Sequence, residues 1–247
     1  LKQIIANRLE KLDKIRQLGV NPYPYEFNVT CSTSDINKDS VDKKVSVAGR
    51  VMSLRKMGKA AFANIQDANG RVQLYIARDD VGEENYNLFK LVDIGDFIGI
   101  DGIVFITKTD ALTVKAEKVT VLSKNLRPIP DVKEKDGEKY NSVSDKELRY
   151  RKRYIDMIIN PETKDNYIKR FKIINSIREF LNKNGYIEVE TPVLQPVYGG
   201  ANAKPFKTFH NALDQEFFLR IATELYLKQL IVGGFEKVYE MSKDFRN

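Results

Sequence analysis

Between Val45 and Ser123 the apolar residues recur at every second position: Val45, Val47 and Val51, then Val72, Leu74 and Ile76, each set against polar or small neighbours. That period belongs to half-buried strands, so this segment is committed to β-structure. Turn-forming clusters at Met57-Gly58-Lys59, Ala68-Asn69-Gly70, Gly95-Asp96 and Thr109-Asp110 divide it, and the stretch near Asn85 to Leu91 reads as a short helix. About five strands with one interposed helix in about 80 residues suit a small closed barrel of the OB type, with a small open sandwich as the alternative.

The flanking segments have a different period. From Ile4 to Leu18, the residues Ile5, Leu9, Leu12, Ile15 and Leu18 follow helical spacing, with Gly19 as the stop. This cationic helix either packs on its own domain or rests on phosphate. Asn21-Pro22-Tyr23-Pro24-Tyr25 is an extended connector, because each proline removes a donor and pushes its predecessor out of helical space. The Pro, Lys, Glu, Asp and Gly of Arg127 to Ser144 read as a linker or solvated loop. Beyond it, Arg149-Tyr150-Arg151-Lys152-Arg153-Tyr154 suits either nucleic-acid backbone contact or a solvated helix face. Asn160-Pro161-Glu162 carries a capping side chain, a proline at the first helical position and a carboxylate at the positive end of the dipole. The helix it opens should run to about Asn184 with Tyr167, Phe171, Ile174, Ile177 and Leu181 facing the core. Gly185 ends it, and Tyr186 to Glu190 alternates as a strand until Pro192.

Composition narrows the function classes. A chain of 247 residues accommodates two modest domains, and 41 Lys plus Arg against 34 Asp plus Glu give a net charge of +7, which suits a polyanionic partner as well as many ordinary proteins. The single cysteine, Cys31, and single histidine, His210, exclude an internal disulfide and a structural zinc site, and they point to a reducing, cytoplasmic setting. No apolar run is long enough to cross a bilayer or act as a signal peptide. The start at Leu1 and the stop at Asp244-Phe245-Arg246-Asn247, without cap or polar tail, suggest a fragment. There is no phosphate loop, dinucleotide fingerprint, nucleophile elbow or histidine pair, so any nucleotide is held by other means.

The second half carries a chain of local signals. These are Gly185-Tyr186 through Thr191-Pro192, Gly199-Gly200-Ala201 with Lys204-Pro205-Phe206, and His210 to Asp214. Ile221-Ala222-Thr223-Glu224-Leu225-Tyr226-Leu227-Lys228 and Val238 to Asn247 complete the series. Together with the barrel they resemble the class II lysyl-tRNA synthetases, and the likeness runs from Asn7 to Asn247. Gly185 to Pro192 is similar to the first class II signature and Asp244 to Asn247 to the start of the second. The resemblance implies an α+β architecture: a helical arm and connector (1–40), an OB-type anticodon-binding barrel (41–125), a linker (126–150), and the first part of a class II catalytic domain (151–247), an antiparallel sheet with helices.

It also implies roles. Arg246 would bridge the α-phosphate of ATP and the substrate carboxylate, a task suited to a planar guanidinium. Glu224 and the carbonyl of Gly200 would receive the α-ammonium of L-lysine. Arg55, Phe62 and Gln73 would face the anticodon of tRNA(Lys) by stacking and edge contacts. The implied partners are tRNA(Lys), L-lysine, ATP and a second copy joined through 163–192. Mg2+ ligands, the contact to the lysine side chain and the third signature are expected beyond this chain, which should therefore not form adenylate unaided. The sequence departs from the family pattern at Asp110-Ala111, where Gly-Glu is usual, and at Tyr198, Phe209 and Thr223, where proline, histidine and proline are common. Two other readings stay open: a non-catalytic OB-fold tRNA-binding protein, and an aspartyl- or asparaginyl-type synthetase.

Overall fold

The computed structural model describes residues 1–130, the backbone of 132–135 and 138–141, and residues 146–247. It divides into two compact units, Leu1–Arg151 and Lys152–Asn247.

In the first unit, β1 (Lys44–Met57), β2 (Ala60–Gln66), β3 (Arg71–Ala77), β4 (Phe97–Ile106) and β5 (Leu112–Ser123) form a closed barrel in the order β1-β2-β3-β5-β4. Closure depends on the length of β1: Lys44 to Arg50 pair with β4 and Arg50 to Met57 with β2, with a register shift between Val51 and Ser53. Such an irregularity bends a strand, which allows one strand to serve two sides of a barrel. The β3–β5 pair is parallel and the other pairs are antiparallel. The period-two residues face inward, with Val47, Val51, Ile65, Leu74, Ile76, Ile98, Ile100 and Val114 all at 0% exposure. Each such side chain contributes about 1.5–3 kcal/mol relative to leaving it in water. Gly102 is required by close approach, since a Cβ there would lie 2.1 Å from the Lys115 carbonyl oxygen.

The interposed helix is longer than the sequence suggests. Helix α2 spans Arg78–Lys90, broken at Gly82, whose φ of 79° is non-helical. Val81, Tyr86, Leu88 and Phe89 join the barrel core, and the Tyr86 hydroxyl donates to the Gly58 carbonyl at 2.7 Å.

Helix α1 (Lys2–Gln17) packs on its own unit, but along a different stripe from the one read from hydrophobicity. Leu12 and Ile15 are buried, whereas Leu9 and Leu18 are exposed, and the buried stripe is completed by Arg8. The Arg8 guanidinium donates to the carbonyls of Asn125 (2.7 Å) and Ile94 (3.0 Å), so burial leaves its charge hydrogen-bonded. Beside it, Lys11 pairs with Asp93 at 2.5 Å. The fully buried Lys124 ammonium sits 2.6 Å from both Asp93 and Asp96, and also donates to the Leu91 carbonyl. Burial alone would raise the Asp93 pKa, but hydrogen bonds and charge from Lys11 and Lys124 outweigh it and hold the carboxyl below its ordinary range.

Within the stretch read as a linker, the described residues include an antiparallel pair, β6 (Val132–Lys135) with β7 (Glu138–Asn141). Residues 131, 136–137 and 142–145 lie outside the described residues. Helix α3 (Lys146–Arg151) follows, with Arg151 paired to Glu147 at 2.8 Å.

The second unit contains α4 (Arg153–Ile159), α5 (Pro161–Lys183), β8 (Ile187–Glu188), β9 (Leu194–Gln195), β10 (Lys207–His210), β11 (Gln215–Leu219), α6 (Glu224–Val232) and β12 (Val238–Tyr239). The β10-β11-β9 sheet is antiparallel, as the resemblance implies, and a separate two-stranded pair, β8 with β12, is parallel. Pro161 does open α5, yet Asn160 does not cap it; its amide instead donates to the buried Asp156 at 2.7 Å. Asp156 also accepts from Arg153 (2.9 Å) and Thr163 (3.1 Å), fastening α4 to α5. The stripe expected to face the core is only partly covered. Tyr167, Phe171 and Ile177 are exposed, Ile174 and Leu181 are half-buried, and Thr163 is the buried residue of α5.

The Asp93 cluster makes the first unit acid-sensitive. A depressed folded-state pKa adds stability that is complete above the ordinary carboxylate value of about 4 and is lost as pH falls through the lower folded value. In an acid titration followed by circular dichroism, Asp93→Asn should be less stable at neutral pH by about 1–3 kcal/mol. Below about pH 4 the difference from wild type should shrink.

Candidate functional site

Strand parity assembles the barrel's outer face. Residues on β2 and β3 whose neighbours fill the core must point outward, which sets Asn64 beside Gln73 and Phe62 beside Tyr75 in register. On β1, Arg55 pairs with Phe62 and Ser53 with Asn64. The Phe62 and Tyr75 rings lie 5.1 Å apart, and Phe105 meets Tyr75 edge-on at 6.1 Å. Next to this aromatic group is an open cleft of about 560 Å³ lined by Ser53, Leu54, Arg55, Phe62, Asn64, Gln73, Thr107 and Thr109. The three barrel residues singled out from the sequence, Arg55, Phe62 and Gln73, thus share one cleft. The sequence reading missed Ser53, Asn64, Thr107 and Thr109, although outward parity with Phe62 and Gln73 was a signal for Asn64.

The turn between β4 and β5 gives the Asp110-Ala111 departure a geometry. Asp110 has a φ of 59°, a left-handed conformation that suits glycine or aspartate. The acid therefore occupies the place where glycine is usual, and Ala111 follows without a carboxylate. Asp110 is not among the residues lining the cleft.

In the second unit, Gly200 and Glu224 are brought together. Gly200 has a φ of 84°, and a Cβ there would lie 2.9 Å from the Glu224 Cβ and 3.5 Å from its carboxylate oxygen. Glu224 is the first residue of α6, where a carboxylate gains from the helix dipole, and it pairs with Lys228. Arg246 is exposed, and no hydrogen bond or ion pair joins it to Glu224 among the described residues. Its main chain is held on both sides, by Phe245 N–H donating to the Arg220 carbonyl and Asn247 N–H donating to the Lys204 carbonyl, each at 2.9 Å.

What holds that terminal segment is a residue the sequence reading passed over. Arg220 is 4% exposed and donates to the Thr191 carbonyl and hydroxyl (both 3.0 Å), to Glu240 (2.7 Å) and to the Lys243 carbonyl (3.1 Å). The available signal was a lone cation closing the apolar run of β11. These groups border a cleft of about 260 Å³ that also includes Arg178, Glu188 and Phe245. On β12, burial and the Glu188 carboxylate hold the Tyr239 hydroxyl above its ordinary range. Among the described residues no cluster of three or more His, Cys, Asp or Glu is placed to hold a metal ion, and no helix is long and apolar enough to cross a membrane.

Comparison with known proteins fits both units. The model for tRNA synthetases class II (D, K and N) matches residues 145–247, and that for the OB-fold nucleic acid binding domain matches 45–122. A lysine–tRNA ligase of Azobacteroides pseudotrichonymphae is 54% identical over 97% of this chain and 50% of its own length. One from Porphyromonas gingivalis is 51% identical over 97% of this chain and 44% of its own length. Residues 145–247 are thus similar to the class II tRNA synthetases, and residues 45–122 to OB-fold nucleic acid binding domains. The chain spans about half the length of the curated relatives it matches. The OB-fold match covers the barrel strands that carry Arg55, Phe62 and Gln73, and the class II match covers Gly200, Glu224 and Arg246.

The buried Arg220 hub yields a stability prediction for the second unit. Arg220→Met leaves Glu240 buried without its cation, and the loss should be about 3–5 kcal/mol. The denaturant midpoint of the second unit should fall accordingly, and adding Glu240→Gln should recover part of it.

Proposed function

We propose that the protein to which this chain belongs is a lysine–tRNA ligase, which activates L-lysine with ATP, forms lysyl-adenylate with release of pyrophosphate, and transfers lysine to the terminal ribose of tRNA(Lys). The supporting observation is the 54% and 51% identity, over 97% of the chain, to two proteins named lysine–tRNA ligase. The gathering of Arg55, Phe62 and Gln73 in one barrel cleft adds to it.

Activation is an attack by the amino acid's carboxylate on the α-phosphorus of ATP, with negative charge gathering on non-bridging oxygens. Arg246 offers two parallel donors to that charge and to the substrate carboxylate, two anions that would otherwise repel. Glu224 pairs with the α-ammonium, and Gly200 lets its carbonyl approach the same group without a side chain in the way. The ion pair of Glu224 with Lys228 is exposed and therefore weak enough to yield to the substrate. Among the described residues no cluster of three or more His, Cys, Asp or Glu is placed to hold magnesium, and we assign its ligands to the remainder of the full-length protein. The exposed apolar residues of α5, with Phe171, Ile173 and Phe180 all above half exposure, support a homodimer joined through 163–192. We place the enzyme in the cytoplasm, where a free thiol such as Cys31 stays reduced.

This chain should bind an anticodon stem-loop of tRNA(Lys) but show no lysine-dependent exchange of pyrophosphate into ATP; exchange by the chain itself would refute the division of labour. The full-length protein should catalyse exchange with lysine and not with aspartate. Phe62→Ala should weaken stem-loop binding by about 1–3 kcal/mol, the usual contribution of one base stacked on an aromatic ring.

A further inference from the structure

The outward rows of the barrel place Thr113 of β5 beside Gln73 of β3 across the parallel pair. Thr113 is fully buried, at 0% exposure, while Gln73 is half-buried and lines the open cleft. The Thr113 hydroxyl lies 2.8 Å from Gln73 Oε1 and 3.2 Å from the Ala111 carbonyl oxygen. A hydroxyl has a single proton to donate. The Ala111 carbonyl already receives the Thr107 N–H at 3.0 Å, and its own N–H is held by the Thr107 hydroxyl at 3.0 Å. The shorter contact and the otherwise unserved acceptor therefore both direct the Thr113 proton to Gln73.

From this we infer that Thr113 is a positioning residue for anticodon reading: its buried hydroxyl holds the oxygen of the Gln73 amide, so that the amide's two N–H donors face the cleft. An amide is nearly symmetric in shape and can present either its oxygen or its NH2, so a groove lined by glutamine discriminates donors from acceptors only when one orientation is fixed. Fixed this way, Gln73 selects a base edge that accepts, such as the O4 of uracil, and rejects the N4 amino group of cytosine, which would set donor against donor. Burial strengthens the restraint, because water does not compete for the Thr113 proton. This arrangement also fits a cleft that Ala111 leaves without a carboxylate, since orientation of a neutral group then supplies the discrimination.

The inference rests on the proposed reading of the cleft as an RNA-reading surface, and the experiment separates the two. Binding of the chain is measured by fluorescence anisotropy to hairpin RNAs with uridine at the anticodon positions, and to a series with one uridine at a time replaced by cytidine. Wild type should prefer uridine at one position by roughly tenfold, the effect of one hydrogen bond gained or lost. Thr113→Val, which keeps the shape and removes the hydroxyl, should bring that preference close to unity while leaving the preferences at the other positions and the salt dependence unchanged. Thr113→Ser should restore it. A purely structural role would instead lower affinity for every hairpin alike, with a fall in thermal stability. If Thr113→Val keeps the full preference, or if wild type favours cytidine at the affected position, the inference is overturned while the RNA-reading surface stands. If wild type binds none of the hairpins, the reading of the cleft fails and the inference fails with it.

Discussion

The barrel depends on a single strand being shared between two neighbours. β1 gives the pairing groups of its first half to β4 and those of its second half to β2, and no sheet edge is left open along it. Once the barrel closes, parity is no longer free: a slip by one residue would turn Val47 and Val51 to water and Phe62 and Gln73 to the core. The cleft is thus a by-product of the core. The hydrophobic residues that close the barrel also dictate which side chains stand outside it and in what order across the strands.

The second unit is organised differently. Its ordered centre is polar, a buried arginine whose guanidinium gathers the Thr191 and Lys243 carbonyls and the Glu240 carboxylate, while its own carbonyl accepts from the Phe245 N–H. A guanidinium suits this because its five donors radiate in one plane and can tie several main-chain segments at once. The same unit leaves a long helix with much of its apolar surface in solvent. A helix of that amphipathicity gains little from its intrinsic propensity and takes most of its stability from packing. Its exposure therefore marks α5 as the part of this unit most dependent on additional protein surface.

What could be read in the sequence was what is local. The turns at Gly58, Gly70, Gly95 and Asp110 were legible because turn chemistry is written in adjacent residues, and the five strands because their period is short. Arg8 was not legible, since its acceptors are carbonyls of Ile94 and Asn125, brought to it only by closure of the barrel. The parallel pairing of β8 with β12 and the hub at Arg220 were hidden for the same reason, each being made by segments distant in sequence. Asn160 shows the opposite failure. Its local pattern was a good cap, and a buried carboxylate four residues earlier outcompeted the helix for its side chain. For the candidate site, Arg55, Phe62 and Gln73 came from likeness to a family, and parity alone would have added Asn64. The cleft's threonines were out of reach, because a threonine on a turn carries no distinguishing pattern.

On the proposed reading of the cleft as RNA-binding, an acid at Asp110 and none at Ala111 change how it can select its ligand. A carboxylate in the groove would accept from a base edge but repel the phosphates on either side, so part of its selectivity would come at the expense of affinity. With Ala111 in its place, the charged group lining the cleft is Arg55, and the remaining polar groups are neutral hydroxyls and amides. In that reading, charge would favour any single strand equally, by attraction to the backbone. Sequence preference must come from the direction in which the neutral groups point, and direction is set by what lies beneath them. The buried layer under the cleft is therefore part of its chemistry.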